Sequence, residues 1–406
     1  MLLEGGTSIP PVSPADVRGV ATSPAGNSLR SGNVVIPLRT PLIVASPLAR
    51  VKTEPHIEIV IATPLPTSLN RDLLVPGPGQ SLRCVACAHR CVLRDGAAGI
   101  CRVRRRRGEA LEVPWGYVAG VGVDPVEKKP FFHLLPGTRT LSFGMLGCDL
   151  HCPFCQNWFT SQSLRDSHAS RDTTEATPRR LVELALDHHC AGITSTYNEP
   201  LITAEWAREV FLEARAAGLT TSMVSNGHAT PEVLDYLAPV LDAMKVDLKC
   251  FSEQGYRSLG GRLQPVVDTI TALVSRTIWT EVVTLLIPGF NDSEEELSAM
   301  AKFLADTDAD MPWHLTAFHP DYRMTDRGPT PLATLDTAVT IGGRAGLHHV
   351  YGGNLNGVRP DLENTRCFSC GELLITRQRF TVTSMRLCDG ACPTCGTGIA
   401  GIWSPP

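Results

Sequence analysis

The 406-residue sequence predicts an α/β protein built on a parallel sheet, with a small cysteine-rich module before it and another after it. Two observations carry that expectation. From about Thr140 to Tyr351 short β-branched runs alternate with segments of helical period, the pattern of repeated strand-helix units. All of the 14 cysteines except Cys190 and Cys250 fall in three clusters, one ahead of that region, one at its first strand and one behind it.

Residues 1–75 are rich in Pro, Ser, Gly and Val, with prolines breaking every apolar run, as in IPLRTPLIVASPLARV, and read as a disordered extension. The opening MLLEGGTS has no basic stretch followed by an apolar one. No run approaches the roughly 20 apolar residues of a membrane span. The expected compartment is therefore the cytoplasm, where many cysteines signify metal or redox chemistry rather than disulfides. A net charge of −4 gives no global case for nucleic acid or membrane.

Residues 76–138 form the first module and a lead-in. Cys84, Cys87, Cys91 and Cys101 are spaced C-x2-C-x3-C-x9-C, with Gly96 and Gly99 available for turns. Four soft ligands this close suit a structural zinc site first, and a second iron–sulfur cluster as the alternative. His89 lies inside that loop, as a solvated histidine or a substitute ligand. The run RVRRRR at 102–107 can grip phosphate, but it lacks interleaved aromatics and belongs to an acidic chain, so a strand edge is the expectation. Asp124-Pro125 and Lys129-Pro130 read as turns.

Residues 139–353 form the core. Strands are expected at 140–146, 192–197, 220–226, 243–249, 277–287, 313–318 and 348–351, and helices at 178–189, 203–217, 231–237, 265–275, 293–306 and 331–345. Several helices open with proline in the first turn, where the missing amide costs nothing. The sheet is either open and doubly wound or a full or partial barrel. In such folds chemistry collects at the carboxyl ends of the strands. After the first strand come Cys148, Cys152 and Cys155, in the spacing C-x3-C-x2-C. Three thiolates can each hold a different iron of a four-iron cluster and leave one iron open, whereas zinc would need a fourth ligand from elsewhere. The later strands end in Asn198-Glu199-Pro200, Ser225-Asn226-Gly227, Asp247 with Lys249, Pro288-Gly289, His319-Pro320-Asp321 and Gly352-Gly353-Asn354. Asp247 and Lys249, two apart on a strand, share a face and can pair.

Residues 354–406 carry Cys367-x2-Cys370 and Cys392-x2-Cys395 around the strand-like LLITRQRFTVTSM, a zinc-ribbon arrangement. Cys388, Cys392 and Cys395 repeat the spacing of the loop at 148–155. Too little chain follows them to build a substrate site, so Cys388 is a spare thiol or an alternative ligand. Cys190 and Cys250, each alone, read as packing residues.

The chain resembles the radical S-adenosylmethionine (radical SAM) superfamily, in the branch of pyruvate formate-lyase activating enzyme-like proteins and, within it, the AmmeMemoRadiSam system radical SAM enzymes. The residues that carry the resemblance are the first cysteine quartet with RDGAAGICRVR, DPVEKKPFFHLLPG, GCDLHCPFCQNW, TYNEP, SNGHATPEVL, DAMKVDLKCF, LIPGFNDSEEEL, FHPDYRMTD, YGGN and the terminal ribbon. It implies a partial (β/α)6-type TIM barrel and a 4Fe-4S cluster on Cys148, Cys152 and Cys155. It implies S-adenosylmethionine bound to the open iron and cleaved reductively to a 5'-deoxyadenosyl radical. Glu199 would meet the cofactor's ammonium group and Phe154 its adenine. Asn198, Ser225, Asn226, Asp247 and His319 would line the cofactor, with Asp247 and Lys249 as the Asp-x-Lys rim motif. An acidic ligand of a metal-ion site in pyruvate formate-lyase activators is replaced by Val224. The radical's expected use is hydrogen abstraction from a protein glycine, or else from a non-glycyl or small-molecule target. The implied partners are a flavodoxin or ferredoxin as electron donor and proteins with AMMECR and Memo domains. The reading of another class, on the quartets and RVRRRR alone, is a non-catalytic zinc and nucleic-acid binding module.

Overall fold

In the computed structural model, which describes residues 65–169 and 172–405, an eight-stranded sheet runs through the centre of the chain. Its strands are β1 (Gly120–Pro125), β2 (Arg139–Gly144), β3 (Gly192–Ser195), β4 (Thr220–Ser225), β5 (Ala243–Asp247), β6 (Trp279–Leu286), β7 (Trp313–Ala317) and β8 (Val350–Gly353). The crossovers from β2 to β8 hold α1 (Pro178–Asp187), α2 (Ala204–Ala216), α3 (Pro231–Leu237), α4 (Leu263–Ser275), α5 (Glu294–Thr307) and α6 (Leu332–Arg344). Strands β2 to β8 are parallel, and β1 is antiparallel to β2. Each lies beside its sequence neighbour.

A doubly wound sheet reverses its strand order partway. This one does not, so right-handed crossovers carry every helix to the same face. The edge strands β1 and β8 are not paired with each other, and the barrel is therefore partial, as expected. Local signals start the helices where the sequence places them. Thr177, Thr230 and Ser293 accept a hydrogen bond from the amides of Arg180, Val233 and Glu296, and proline follows the first two caps directly. Strand β3 is buried at every position, as a parallel strand covered on both faces must be.

Strand β1 corrects the reading of Asp124-Pro125 as a turn. It is hidden in the sequence by its glycines. A Cβ on Gly120 would meet the Tyr197 ring at 3.6 Å, and one on Gly122 the Tyr197 hydroxyl at 3.2 Å. The edge position tolerates the terminal proline.

Residues 1–64 of the expected extension lie outside the described residues. The stretch from Thr67 to 75 is not extension: Thr67–Asn70 pairs with Ala110–Pro114, and Leu74–Pro76 pairs with Leu82–Cys84. These strands frame the first cysteine quartet. The arginine run forms the strand Arg105–Arg107 at the edge of its sheet, and all of its arginines are engaged. Arg104, buried, makes a two-pronged ion pair with Glu205 at 2.6 Å on both prongs. Arg102, Arg105 and Arg106 donate to the carbonyls of Leu164, Gly96 and Gln80, and Arg107 pairs with Glu112. A run tied down residue by residue into this chain is not an open phosphate-binding patch.

The last module is a three-stranded sheet, Thr365–Arg366, Leu373–Gln378 and Thr381–Met385. It docks against the amino ends of the barrel strands. Arg377 donates to the Phe132 carbonyl at 2.8 Å and stacks on the Phe132 ring. Beside them His133 bridges the Ala400 carbonyl and the Tyr351 hydroxyl. Glu281, fully buried near the start of β6, accepts from the amides of Phe132 and His133, from the Trp279 indole and from His314. No helix among the described residues is long and apolar enough to cross a membrane.

Candidate active site

The loop carrying Cys148, Cys152 and Cys155 leaves the carboxyl end of β2 and is held from several sides. Arg165 donates to the carbonyls of Cys148 and Leu150 at 2.8 and 3.0 Å, and the His151 amide donates to the Leu259 carbonyl at 3.0 Å. Two sulfurs also receive polar contacts, Cys148 from the Leu150 amide at 3.4 Å and Cys155 beside the Ser161 hydroxyl at 3.2 Å. Phe154 is buried among Leu150, Leu259, Ile287 and Phe318, with its ring tilted on Phe290 at 5.9 Å.

The end of β4 meets this loop directly. Asn226 donates from its amide nitrogen to Asp149 at 2.7 Å and lies 3.9 Å from the Cys148 sulfur, and its Oδ1 accepts from the His228 amide. His228 Nδ1 sits 2.9 Å from the other Asp149 oxygen, and His89 reaches the Asp149 carbonyl at 3.2 Å. Burial alone would push the Asp149 carboxyl up, but the hydrogen bond and charge of His228, the charge of His89 and the Asn226 amide bring it below its ordinary value.

Glu199, at the end of β3, is buried. Its oxygens accept from the Leu201 amide at 3.0 Å, the Ser225 hydroxyl at 2.7 Å and the Asn226 amide at 2.8 Å. Burial, and then the Asp149 charge, push its carboxyl up to about 8 against the pull of these donors. The sequence offers Glu199 as an open carboxylate for an ammonium group. In the fold it also ties the ends of β3 and β4 through these three internal donors, and a carboxylate's roughly four lone-pair sites leave room for one more donor. Asn198 is likewise inward, accepting from the Met145 amide at 3.0 Å.

At the end of β5, Asp247 lies between two lysines, with Lys245 at 2.8 Å and Lys249 at 3.1 Å. Burial would raise its carboxyl, but the two ammonium groups hold it at about 2. The expected Asp247–Lys249 pair thus has a third member. Burial pushes the Cys152 and Cys155 thiols up, and the Lys249 charge works against that rise. His319, at the end of β7, is exposed.

The sulfurs differ in how far apart they stand. Cys367, Cys370, Cys392 and Cys395 bring their ligand atoms within 4.8 Å of one another, with two sulfur pairs at 3.6 Å. Thiolates sharing one tetrahedral ion through bonds of about 2.3 Å sit about 3.8 Å apart, so this quartet fits zinc. Cys388 stands outside the group. Cys148, Cys152 and Cys155 are not gathered this way among the described residues. Such a spread suits sulfurs on different irons of one cluster. Cys190 and Cys250 are buried, as expected of packing residues.

Sequence reasoning missed Asp149, His228 and Lys245. Asp149 and His228 lie next to residues it singled out, and Lys245 two positions before Asp247, but no spacing rule states that a residue beside a cysteine will face a loop nearly eighty positions away.

The Radical SAM superfamily matches residues 144–304, which include the cysteine loop and the strands up to β6. The chain is 36% identical over 324 residues to an uncharacterized protein of Methanocaldococcus jannaschii, covering 79% of this chain and 95% of that one. It is 23% identical over 177 residues to the pyruvate formate-lyase 1-activating enzyme of Escherichia coli, covering 42% and 70%. A solved domain of a pyruvate-formate lyase-activating enzyme from Bacteroides vulgatus covers 40% of this chain and 99% of its own at 17% identity, with a TM-score of 0.35. With the cysteine loop at the first strand end of a partial barrel, the match to that superfamily and the kinship with activating enzymes, the chain belongs to the radical SAM superfamily, whose enzymes use a 4Fe-4S cluster and S-adenosylmethionine.

Proposed function

We propose that this enzyme cleaves S-adenosylmethionine at a cluster held by Cys148, Cys152 and Cys155, and directs the product radical at a hydrogen of a protein substrate. The observation that carries the reading is the convergence of the cysteine loop, the Asn226 loop and the Asp247–Lys249 face at adjoining strand ends. When bound, the cluster supplies one electron to the sulfonium, releasing methionine and a 5'-deoxyadenosyl radical.

The protein's own groups have separable tasks in this reading. Arg165 and the Asn226–Asp149 bond hold the loop that carries the thiolates. Phe154 gives adenine an apolar surface. Lys249, kept cationic beside Asp247, places positive charge where the thiolates and the cofactor carboxylate gather. Glu199 positions Ser225 and Asn226 and offers its remaining acceptor capacity to the cofactor's ammonium group. The kinship with activating enzymes supports a backbone glycine of a partner protein as the hydrogen source. A flavodoxin or ferredoxin serves as electron donor, proteins with AMMECR and Memo domains are candidate partners, and zinc occupies the last quartet.

Anaerobic reconstitution followed by dithionite and S-adenosylmethionine should yield 5'-deoxyadenosine. Cys152→Ala should abolish it, whereas Cys392→Ala should retain it. Deoxyadenosine formation that survives Cys152→Ala would sink the assignment. Deuterium transfer from candidate proteins into deoxyadenosine identifies the hydrogen donor and separates a protein target from a small molecule.

A further inference from the structure

We propose that Cys84, Cys87, Cys91 and Cys101 hold a second iron–sulfur cluster rather than zinc. The chain contains its own ruler for the choice. A four-cysteine zinc site gathers its sulfurs on one ion, and the last quartet shows what that looks like here, with sulfur pairs at 3.6 Å and all ligand atoms within 4.8 Å. Among the described residues no three of the sulfurs of Cys84, Cys87, Cys91 and Cys101 come within 4.8 Å of one another. They resemble the loop trio in this respect and not the ribbon. A cluster that puts each thiolate on its own iron suits a looser grouping than the contracted one that a single ion needs.

The surroundings agree with a cluster. Cys84, Cys87 and Cys101 are buried, with Cys87 and Cys101 packed against Val103 and Ile202. Hydrogen-bond donors point at the sulfurs: Arg104 Nε lies 3.2 Å from Cys84, and the Ile100 amide lies 3.4 Å from Cys91. Donors of this kind, together with exclusion of water, set the potential of a cluster. A guanidinium beside four thiolates also offsets their charge.

The quartet is tied to the cysteine loop. His89, between Cys87 and Cys91, reaches the carbonyl of Asp149, which directly follows Cys148. Ala88 donates to the His228 carbonyl at 2.8 Å, and the His89 and His228 rings meet edge to face at 4.8 Å. His89, Asp149 and His228 are close enough to hold an ion themselves. However, both Asp149 oxygens already accept hydrogen bonds, from Asn226 and His228, so these residues form a bridge between the two cysteine sites.

The test is metal content, read independently of S-adenosylmethionine cleavage. The full chain, reconstituted anaerobically with iron and sulfide, should hold about eight irons and about one zinc, and Cys148→Ala/Cys152→Ala/Cys155→Ala should keep about four irons with the spectrum of a cluster. In the converse variant, Cys87→Ser/Cys91→Ser, iron should fall by half while zinc stays constant. Because the two clusters lie on either side of Asp149, the fully reduced wild type should also show paramagnetic broadening that both variants lose. Iron absent from the triple variant, or zinc falling in the double variant while iron does not, would overturn the proposal. If the wild type holds only about four irons and the triple variant keeps them all, the quartet's cluster stands and the loop assignment fails instead.

Discussion

Arg104 shows how much one side chain can bind together. Its guanidinium pairs with Glu205 on α2, donates to the Ile202 carbonyl and approaches Cys84, so the first module and the barrel share a fully buried ion pair. Arg104→Leu leaves the Glu205 carboxylate buried without a partner and should destabilise the fold by about 3–5 kcal/mol in denaturant unfolding. Arg104→Leu/Glu205→Leu should recover most of that loss, because removing both charges removes the penalty. Arg105→Ala, an exposed position in the same run, should change stability by no more than about 0.5 kcal/mol. In sequence these arginines are indistinguishable members of RVRRRR. The alternation of a strand sends Arg104 and Arg106 inward and Arg105 and Arg107 outward.

At the scale of elements, the turn after β4 is where the site is most sensitive. Gly227 has φ +70°, and a Cβ there would lie 2.5 Å from Val246 Cγ1, a fully buried branched side chain on β5 that has no room to move. Gly227→Ala should cost about 2–4 kcal/mol in thermal unfolding, from left-handed backbone strain and overpacking together. Because Asn226 and His228 flank it and grip Asp149, the variant should also lose iron from the cysteine loop faster than wild type on exposure to a chelator. The ribbon supplies the contrast. Cys388 lies outside its four-sulfur group, so Cys388→Ser should retain zinc while Cys392→Ser releases it, as read by metal analysis. The spacing C-x3-C-x2-C occurs in both elements, and only the element carrying it separates a reaction site from a structural one.

Across the whole molecule the two cysteine modules sit at opposite ends of the barrel. The first lies beside the cysteine loop at the carboxyl ends of the strands, and the ribbon closes the amino ends over buried His133, His314 and His349. Burial pushes all three imidazoles down, His349 to about 4. Between about pH 6.5 and 4 the unfolded chain therefore binds protons that the folded chain does not, and stability falls as pH falls through that window. The His349 share is on the order of 3 kcal/mol, and urea unfolding at pH 7 and pH 5 should show a smaller difference in His349→Phe than in wild type. The sequence by itself determined the strand-helix repeat, the six helices with the first-turn prolines of several of them, the cysteine loop at a strand end and the ribbon. All of these rest on local periodicity, short-range turn chemistry or short ligand spacing, which read directly from neighbouring residues. Only the tertiary structure decided that Glu199 ties the ends of β3 and β4, that Asp149 joins His89 to His228, that β1 completes the sheet, and that one quartet is contracted while the other is not. Those outcomes depend on strand order and loop packing across tens to hundreds of residues, where no periodicity survives to announce which side chains will meet.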